Sequence, residues 1–254
     1  MTVPAHLRFR AGPDELRGRV VAITGASDGI GRALALAAAQ HGAEVVLIGR
    51  AVRKLEQVHG EIAALKRAEA SIAPLDLEKA LARDYDQLAA AVQQRYGRLD
   101  GLIHNAGILG ALAPVEHYDV PTWCRVLHVN LTAAFALTQV LLRALRASAD
   151  ASIIFTSSGV ARRPRAYWGA YAVSKAGIEA LSGLLSEELQ GSGGARVNAV
   201  NPGPVRTRMR SQAFPAEDPQ HLAAPADIVQ PYLWLLSAAS RGVTGQYLEC
   251  QAAH

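Results

Sequence analysis

Seven short apolar or β-branched runs recur along the chain with little polar alternation inside them: RVVAIT (19–24), AEVVLI (43–48), ASIAPL (70–75), LDGLIH (99–104), ASIIFTS (151–157), ARVNAV (195–200) and GQYLEC (245–250). Strands buried on both faces read this way. Between most of them lie stretches of helical length, at 30–41, 51–67, 80–96, 122–147, 171–190 and 226–237. Strand, helix and strand at this spacing make a parallel sheet with crossover helices. The pattern therefore predicts an α/β fold: a Rossmann-type doubly wound parallel sheet of about seven strands with helices on both faces. Residues 1–18 read as an N-terminal extension and 19–254 as a single domain. Pro and Gly cluster at 201–225, the one long irregular stretch, and such stretches in compact enzymes are often lids.

The turn after the first run is rich in glycine. In TGASDGIG (24–31), Gly25 permits a tight turn, Gly29 lets backbone amides approach a diphosphate, and Gly31 allows close helix–strand packing. The N-terminus of the following helix adds partial positive charge for that anion. The spacing differs from the G-x-G-x-x-G fingerprint, so phosphate binding rests on the glycines' place at the first βα turn. The second run ends in LIGR. A site for NAD usually has an acid there for the ribose hydroxyls. Here stands Arg50, which suits a 2′-phosphate and favours NADP(H) over NAD(H).

Composition narrows the class without adding chemistry. The chain has 254 residues, half of them apolar, and a formal charge of +4 spread along its length. No basic block or interleaved aromatic platform suggests nucleic acid. Two distant cysteines, Cys124 and Cys250, suit a reducing cytoplasm and form no metal-ligand pattern. Eight histidines lack ligand spacing, so no metal is expected. No leader-like segment opens the chain, and no run is expected to cross a bilayer.

GAYAVSK (169–175) places Tyr171 four residues before Lys175. On a helix those positions share a face, so a phenol and an ammonium can meet. Alone, the pair is equally an amphipathic helix with a boundary tyrosine and a solvated lysine.

Taken in order, TGASDGIG, Asp76 after the third run, HNAG (104–107), Asn130 in HVNLT, SS (157–158), YAVSK (171–175) and NPGPVRT (201–207) resemble the short-chain dehydrogenase/reductase family across about residues 18–248. Within that family, IFTSSGVARRPRAYWGAYAVSK and AFPAEDPQHLAAPADIVQPYLWLL are similar to the YciK-like oxidoreductases. The resemblance implies that Gly25, Ser27, Asp28, Gly29, Ile30 and Gly31 line the cofactor phosphates. Asp76 and Leu77 would meet the adenine, and Asn105, Ala106 and Gly107 the ribose and nicotinamide side. Pro202, Gly203, Val205 and Thr207 would cover the nicotinamide. Asn130, Ser158, Tyr171 and Lys175 would be catalytic, with Ser158 preferred over Ser157 and Thr156. Three departures stand out: Asp28 where many NADP-using relatives carry a basic residue, His104 where Asn is commoner, and a C-terminal GQYLECQAAH without the usual glycine pair.

The chemistry expected is interconversion of a ketone and a secondary alcohol. Tyr171, ordinarily a poor acid at a pKa of about 10, would be made more acidic by Lys175. Ser158 would orient the substrate oxygen, and Asn130 would hold a water linking Lys175 to solvent. Two arginine groups, Arg162, Arg163 and Arg165, then Arg206, Arg208 and Arg210, flank the expected substrate loops and suit either an anionic substrate or plain salt bridging. A 3-oxoacyl-thioester reductase and a non-catalytic NADP(H) sensor are the alternatives. Helices 122–147 and 171–190 would pair copies into a homodimer or homotetramer, as the family resemblance implies.

Overall fold

The computed structural model describes residues 3–190 and 194–252. After a short helix α1 (Ala5–Arg8), the chain alternates β1 (Val20–Thr24), α2 (Gly29–Gln40), β2 (Glu44–Gly49), α3 (Val52–Leu65), β3 (Ala70–Pro74), α4 (Ala82–Tyr96) and β4 (Gly101–His104). Then come α5 (Val120–Leu127), α6 (Ala133–Arg146), β5 (Ser152–Thr156), α7 (Gly159–Arg162), α8 (Gly169–Leu189) and β6 (Arg196–Asn201), followed by α9 (Arg208–Ala213), α10 (Gln230–Leu236) and β7 (Tyr247–Glu249).

The seven strands form one sheet in the order β3-β2-β1-β4-β5-β6-β7, and every pairing is parallel. The predicted architecture is thus the observed one. Side chains alternate between two cores: Val21, Ile23, Val45 and Leu47 pack with α2, α3 and α10, while Val20, Ala22, Val46 and Ile48 face the side of α4, α6 and α8. Burial of both faces is why the strands carry no polar period. Strand order reverses between β1 and β4, opening a crevice beyond their carboxyl ends.

Four details depart from the sequence reading. The helix expected over 122–147 is interrupted by a π-type turn at His128–Thr132 between α5 and α6. The 201–225 stretch contains α9. The described part of the N-terminal extension packs onto the domain: Leu16 is fully buried, its amide bonds the His41 carbonyl at 2.9 Å, and the Ala11 amide bonds Gln230. Finally, the helical run Val120–Arg146 is long and apolar enough, by length and composition, to cross a membrane. Its apolar residues Leu137, Leu141 and Leu145 are instead buried in the core against the sheet.

Candidate active site

The glycine turn is set by contact as well as by dihedral angle. Gly25 and Gly29 have φ of +68° and +52°, a region that suits glycine. A Cβ on Gly31 would lie 2.2 Å from the Gly25 carbonyl oxygen and 2.6 Å from Asn105 Nδ2, so α2 starts hard against the turn. Asp28 caps that start, accepting the Gly29 amide at 2.8 Å, and its second oxygen accepts from Lys54 Nζ at 2.6 Å. The lysine beside it holds the Asp28 carboxyl below the usual range.

Thr24 ties this turn to the segment after β4. Its hydroxyl accepts the amides of Asn105 and Ala106, each at 3.0 Å, and Asn105 Nδ2 donates to the Thr24 carbonyl at 3.2 Å. Sequence reasoning missed this threonine, although it opens the motif. Its role needs a partner about eighty positions away.

Three adjoining hollows run along the crevice. The first, about 150 Å³, is lined by Ser27, Arg50, Asp76, Leu77, Ala106 and Gly107 among others. Arg50 stands at its rim, 3.7 Å from Glu78. The second, about 250 Å³, lies over Gly25, Asp28, Gly29 and Asn105 and reaches Tyr171 and Lys175, with Pro202 and Thr207 opposite. The third, about 110 Å³, is walled by Ser158, Tyr171, Trp168, Leu109 and Met209, with Gly203 and Val205 behind. Ile30 reaches both the second and the third. Tyr171 belongs to both as well, so it is one of the residues at their junction.

Two expected site residues line no hollow. Gly31 is buried beneath the turn. Asn130, on the π-type turn, accepts the Ile108 amide at 2.8 Å and donates to the Ile108 carbonyl and to Ser174 Oγ, each at 3.0 Å. These bonds use both protons of its amide, so the side chain clamps the loop after β4. Its Oδ1 would be 3.2 Å from a Cβ on Gly107, and Lys175 Nζ 3.7 Å from it.

The three hydroxyls at the end of β5 are sorted by their neighbours. Thr156 Oγ1 bonds the buried Tyr232 hydroxyl at 3.2 Å. Ser157 Oγ donates to Glu179 at 2.6 Å. Ser158, half-buried, faces Tyr171. Burial pushes the Tyr171 phenol above its ordinary pKa, and the neighbouring Ser158 hydroxyl opposes that shift. Burial also lowers the Lys175 ammonium to about 8. The sequence reading made Lys175 the agent that acidifies the phenol. In the structure Nζ lies 5.7 Å from the ring centroid and spends a 2.7 Å hydrogen bond on the Thr156 carbonyl. Desolvation is the larger effect on both groups.

Seven parallel strands in this order, the glycine turn and Tyr171 beside Lys175 coincide with a sequence match to the short chain dehydrogenase family over residues 19–218. The chain belongs to that family. This short chain dehydrogenase is 44% identical over 245 residues, 96% of each chain, to the uncharacterized oxidoreductase YciK of Escherichia coli K12. It is 33% identical over 246 residues, 92% of this chain and 96% of the other, to a 3-oxoacyl-[acyl-carrier-protein] reductase of Thermotoga maritima. A solved short chain dehydrogenase from Escherichia coli CFT073, complexed with NADPH, superimposes with a TM-score of 0.90 at 45% identity, covering 95% of this chain and 100% of that one.

The arginine loops of this dehydrogenase are partly spoken for. Arg210 makes two 2.6 Å bonds to Glu217 and lies 3.8 Å above the Phe214 ring. Arg162 donates to Glu179 at 2.8 Å. Arg210 is the charged residue in the third hollow, and its partner already balances it. The geometry thus gives no support to anion recognition there. The C-terminal segment, which lacks the usual glycine pair, reaches back instead: Gln251 Nε2 donates to the carbonyls of Pro202 and Pro204 at 2.8 and 2.9 Å.

Proposed function

We propose that this chain is an NADP(H)-dependent oxidoreductase that interconverts a carbonyl and a secondary alcohol, with Ser158, Tyr171 and Lys175 as its catalytic groups. The carrying observation is the position of Tyr171 at the junction of the hollow over the glycine turn and the hollow beside Ser158. The cradle suits a dinucleotide, since at Gly31 and Gly25 a side chain would collide with backbone that a diphosphate must approach. The first two hollows would hold it, with Arg50 toward the 2′-phosphate. NADPH in the Escherichia coli CFT073 relative supports this choice. When bound, NADP(H) supplies or accepts the hydride.

The remaining work falls to the chain's own groups. Ser158 Oγ donates a hydrogen bond to the substrate oxygen and fixes it beside the phenol; such a preorganised donor is worth roughly 3 kcal/mol. Tyr171 passes its proton to that oxygen in reduction and takes it back in oxidation. Lys175, held by the Thr156 carbonyl with Nζ 5.7 Å from the Tyr171 ring centroid, keeps a cation near the phenol that offsets part of the burial effect as charge develops there. Asn130 keeps Gly107 and Ile108 in place beside Lys175. The third hollow, walled by Trp168, Leu109 and Met209, suits an uncharged, largely apolar group next to the carbonyl.

Pairing of copies through α6 and α8, where Phe135, Val173 and Leu184 are exposed, and a cytoplasmic site of action complete the reading. The test is titration of the purified chain with NADPH and NADH, then a carbonyl panel followed by loss of NADPH absorbance. Tyr171→Phe is expected to bind NADPH as before and to lose turnover on the order of a thousandfold. Undiminished turnover in that variant would end the proposal.

A further inference from the structure

Helix α8 carries a third functional group on the face of Tyr171 and Lys175. Glu179 follows Lys175 by four residues, as Lys175 follows Tyr171, so the three side chains form one stripe. Glu179 lines none of the three hollows. Its carboxylate instead grips the segment bearing Ser158 at both ends. Oε1 accepts the Ser157 hydroxyl at 2.6 Å, and Oε2 accepts Arg162 Nε at 2.8 Å. Both are charge-assisted bonds, the shorter and stronger kind.

Between these anchors Ser158 is extended and heads the single turn of α7. The Ala161 amide bonds the Ser158 carbonyl at 2.9 Å, and the Arg163 amide bonds that of Gly159 at 3.0 Å. The Ser157 amide is itself held by Val200 of β6 at 2.7 Å. The Arg162 guanidinium lies 3.5 Å above the Tyr247 ring, which fixes the outer anchor. A six-residue bracket, 157–162, is thus closed on one carboxylate of the helix that presents Tyr171.

We propose that Glu179 is a positioning residue: through Ser157 and Arg162 it sets the Ser158 hydroxyl against the Tyr171 phenol. The inference rests on the roles given to Ser158 and Tyr171 above. Its energetic sense is that the relation between two groups on different elements is fixed by a third group that belongs to one element and holds the other. Small displacements of such groups are costly to rate without altering cofactor binding.

The test is a double-mutant cycle. Glu179→Ala is expected to lower kcat on the order of tenfold, with the NADPH dissociation constant and the thermal midpoint little changed. Added to Ser158→Ala, it is expected to cost nothing more, because the group it positions is already gone. Glu179→Gln keeps an acceptor for Ser157 and should recover most of the rate; should Glu179→Ala fail to fold, Ser157→Ala takes its place in the cycle with Ser158→Ala. A second readout needs no turnover. Tyrosinate absorbance with NADP⁺ bound, minus that of Tyr171→Phe, reports the phenol, and both Ser158→Ala and Glu179→Ala should move its ionisation to higher pH. Wild-type kcat in Glu179→Ala, losses that multiply in the double variant, or a phenol that shifts in Ser158→Ala alone would each overturn the proposal. Absence of turnover on every carbonyl, with the phenol still responding to Glu179→Ala, would count against the proposed function and leave the positioning role standing.

Discussion

Lys175 Nζ donates a 2.7 Å hydrogen bond to the carbonyl of Thr156, two residues before Ser158. The bond joins α8 to the end of β5 and aims a buried cation at the cleft. Thr156 is in turn backed by the buried Tyr232 hydroxyl of α10, so the lysine's acceptor is held from the far side of the sheet.

Lys175 should cost stability while serving turnover. Its ammonium loses a proton at about 8 in the fold against the ordinary 10.5. Between those values the unfolded chain binds the extra proton, so stability rises with pH across that window. The shift corresponds to roughly 3 kcal/mol of desolvation cost at neutral pH, of which loss of the Thr156 bond would offset about 1 kcal/mol. Lys175→Met is expected to be more stable than the wild type near pH 7, to lose the pH slope, and to be inactive. Urea unfolding at several pH values, beside an NADPH assay, checks all three.

His104 makes the fold acid-sensitive. It is buried, stacked on Phe155 at 4.7 Å, and its pKa is lowered to about 3 by burial. Thr138 gives its hydroxyl proton to the Ala134 carbonyl, so His104 Nε2–H donates to it at 2.8 Å and the ring is neutral. The unfolded chain takes up a proton below about 6.5 that the fold refuses, so stability falls as pH drops from there toward 3, by about 1.4 kcal/mol per unit at most. His104→Gln should remove that part of the slope in acid unfolding curves.

Two glycines should respond oppositely to alanine. At Gly31 the new methyl would meet the Gly25 carbonyl at 2.2 Å, so Gly31→Ala is expected to destabilise by about 1–3 kcal/mol and to weaken NADPH binding. Gly60, inside α3, has nothing within 4 Å of its would-be Cβ. Gly60→Ala should stabilise by about 1 kcal/mol through helix propensity alone. Chemical denaturation and NADPH titration of both variants decide it.

Arg50 is exposed and only loosely paired, 3.7 Å from Glu78. Arg50→Ala should raise the NADPH dissociation constant roughly tenfold or more, as expected for a lost charged hydrogen bond, and leave that for NADH nearly unchanged. Equal loss for both cofactors would remove Arg50 from the 2′-phosphate site.

Much of this was readable along the chain because it is local. The crossover pattern and the apolar runs specify a sheet covered on both faces, and every observed strand lies within two residues of the predicted one at each end, β4 and β7 starting latest against prediction. The break between α5 and α6 was not readable. A π-type turn inserts one residue and rotates the downstream helix by about 100°, which the apolar pattern of a half-buried run rich in Ala and Leu does not register. It places Asn130 where its amide clamps Ile108, a contact between residues 22 apart. Which of the two readings applies to Arg162 and Arg210 was hidden for the same reason: both are salt-bridged, and anion recognition gains no support there. Neither Glu179 opposite Arg162 nor Glu217 opposite Arg210 is marked as a partner by sequence.

The amino-acid sequence alone determined which elements form, that a glycine turn opens the first crossover helix, and that Tyr171 and Lys175 share a helix face, because each depends on backbone geometry over a few residues. Only the tertiary structure showed what Thr156, Ser157 and Ser158 each touch, although the family resemblance alone already preferred Ser158. Three neighbouring hydroxyls of similar chemistry differ solely in what reaches them, Tyr232 from 76 residues away for the first and Glu179 from 22 for the second. The one left facing the phenol is selected by packing, and packing joins segments whose separation along the chain carries no signal of their contact.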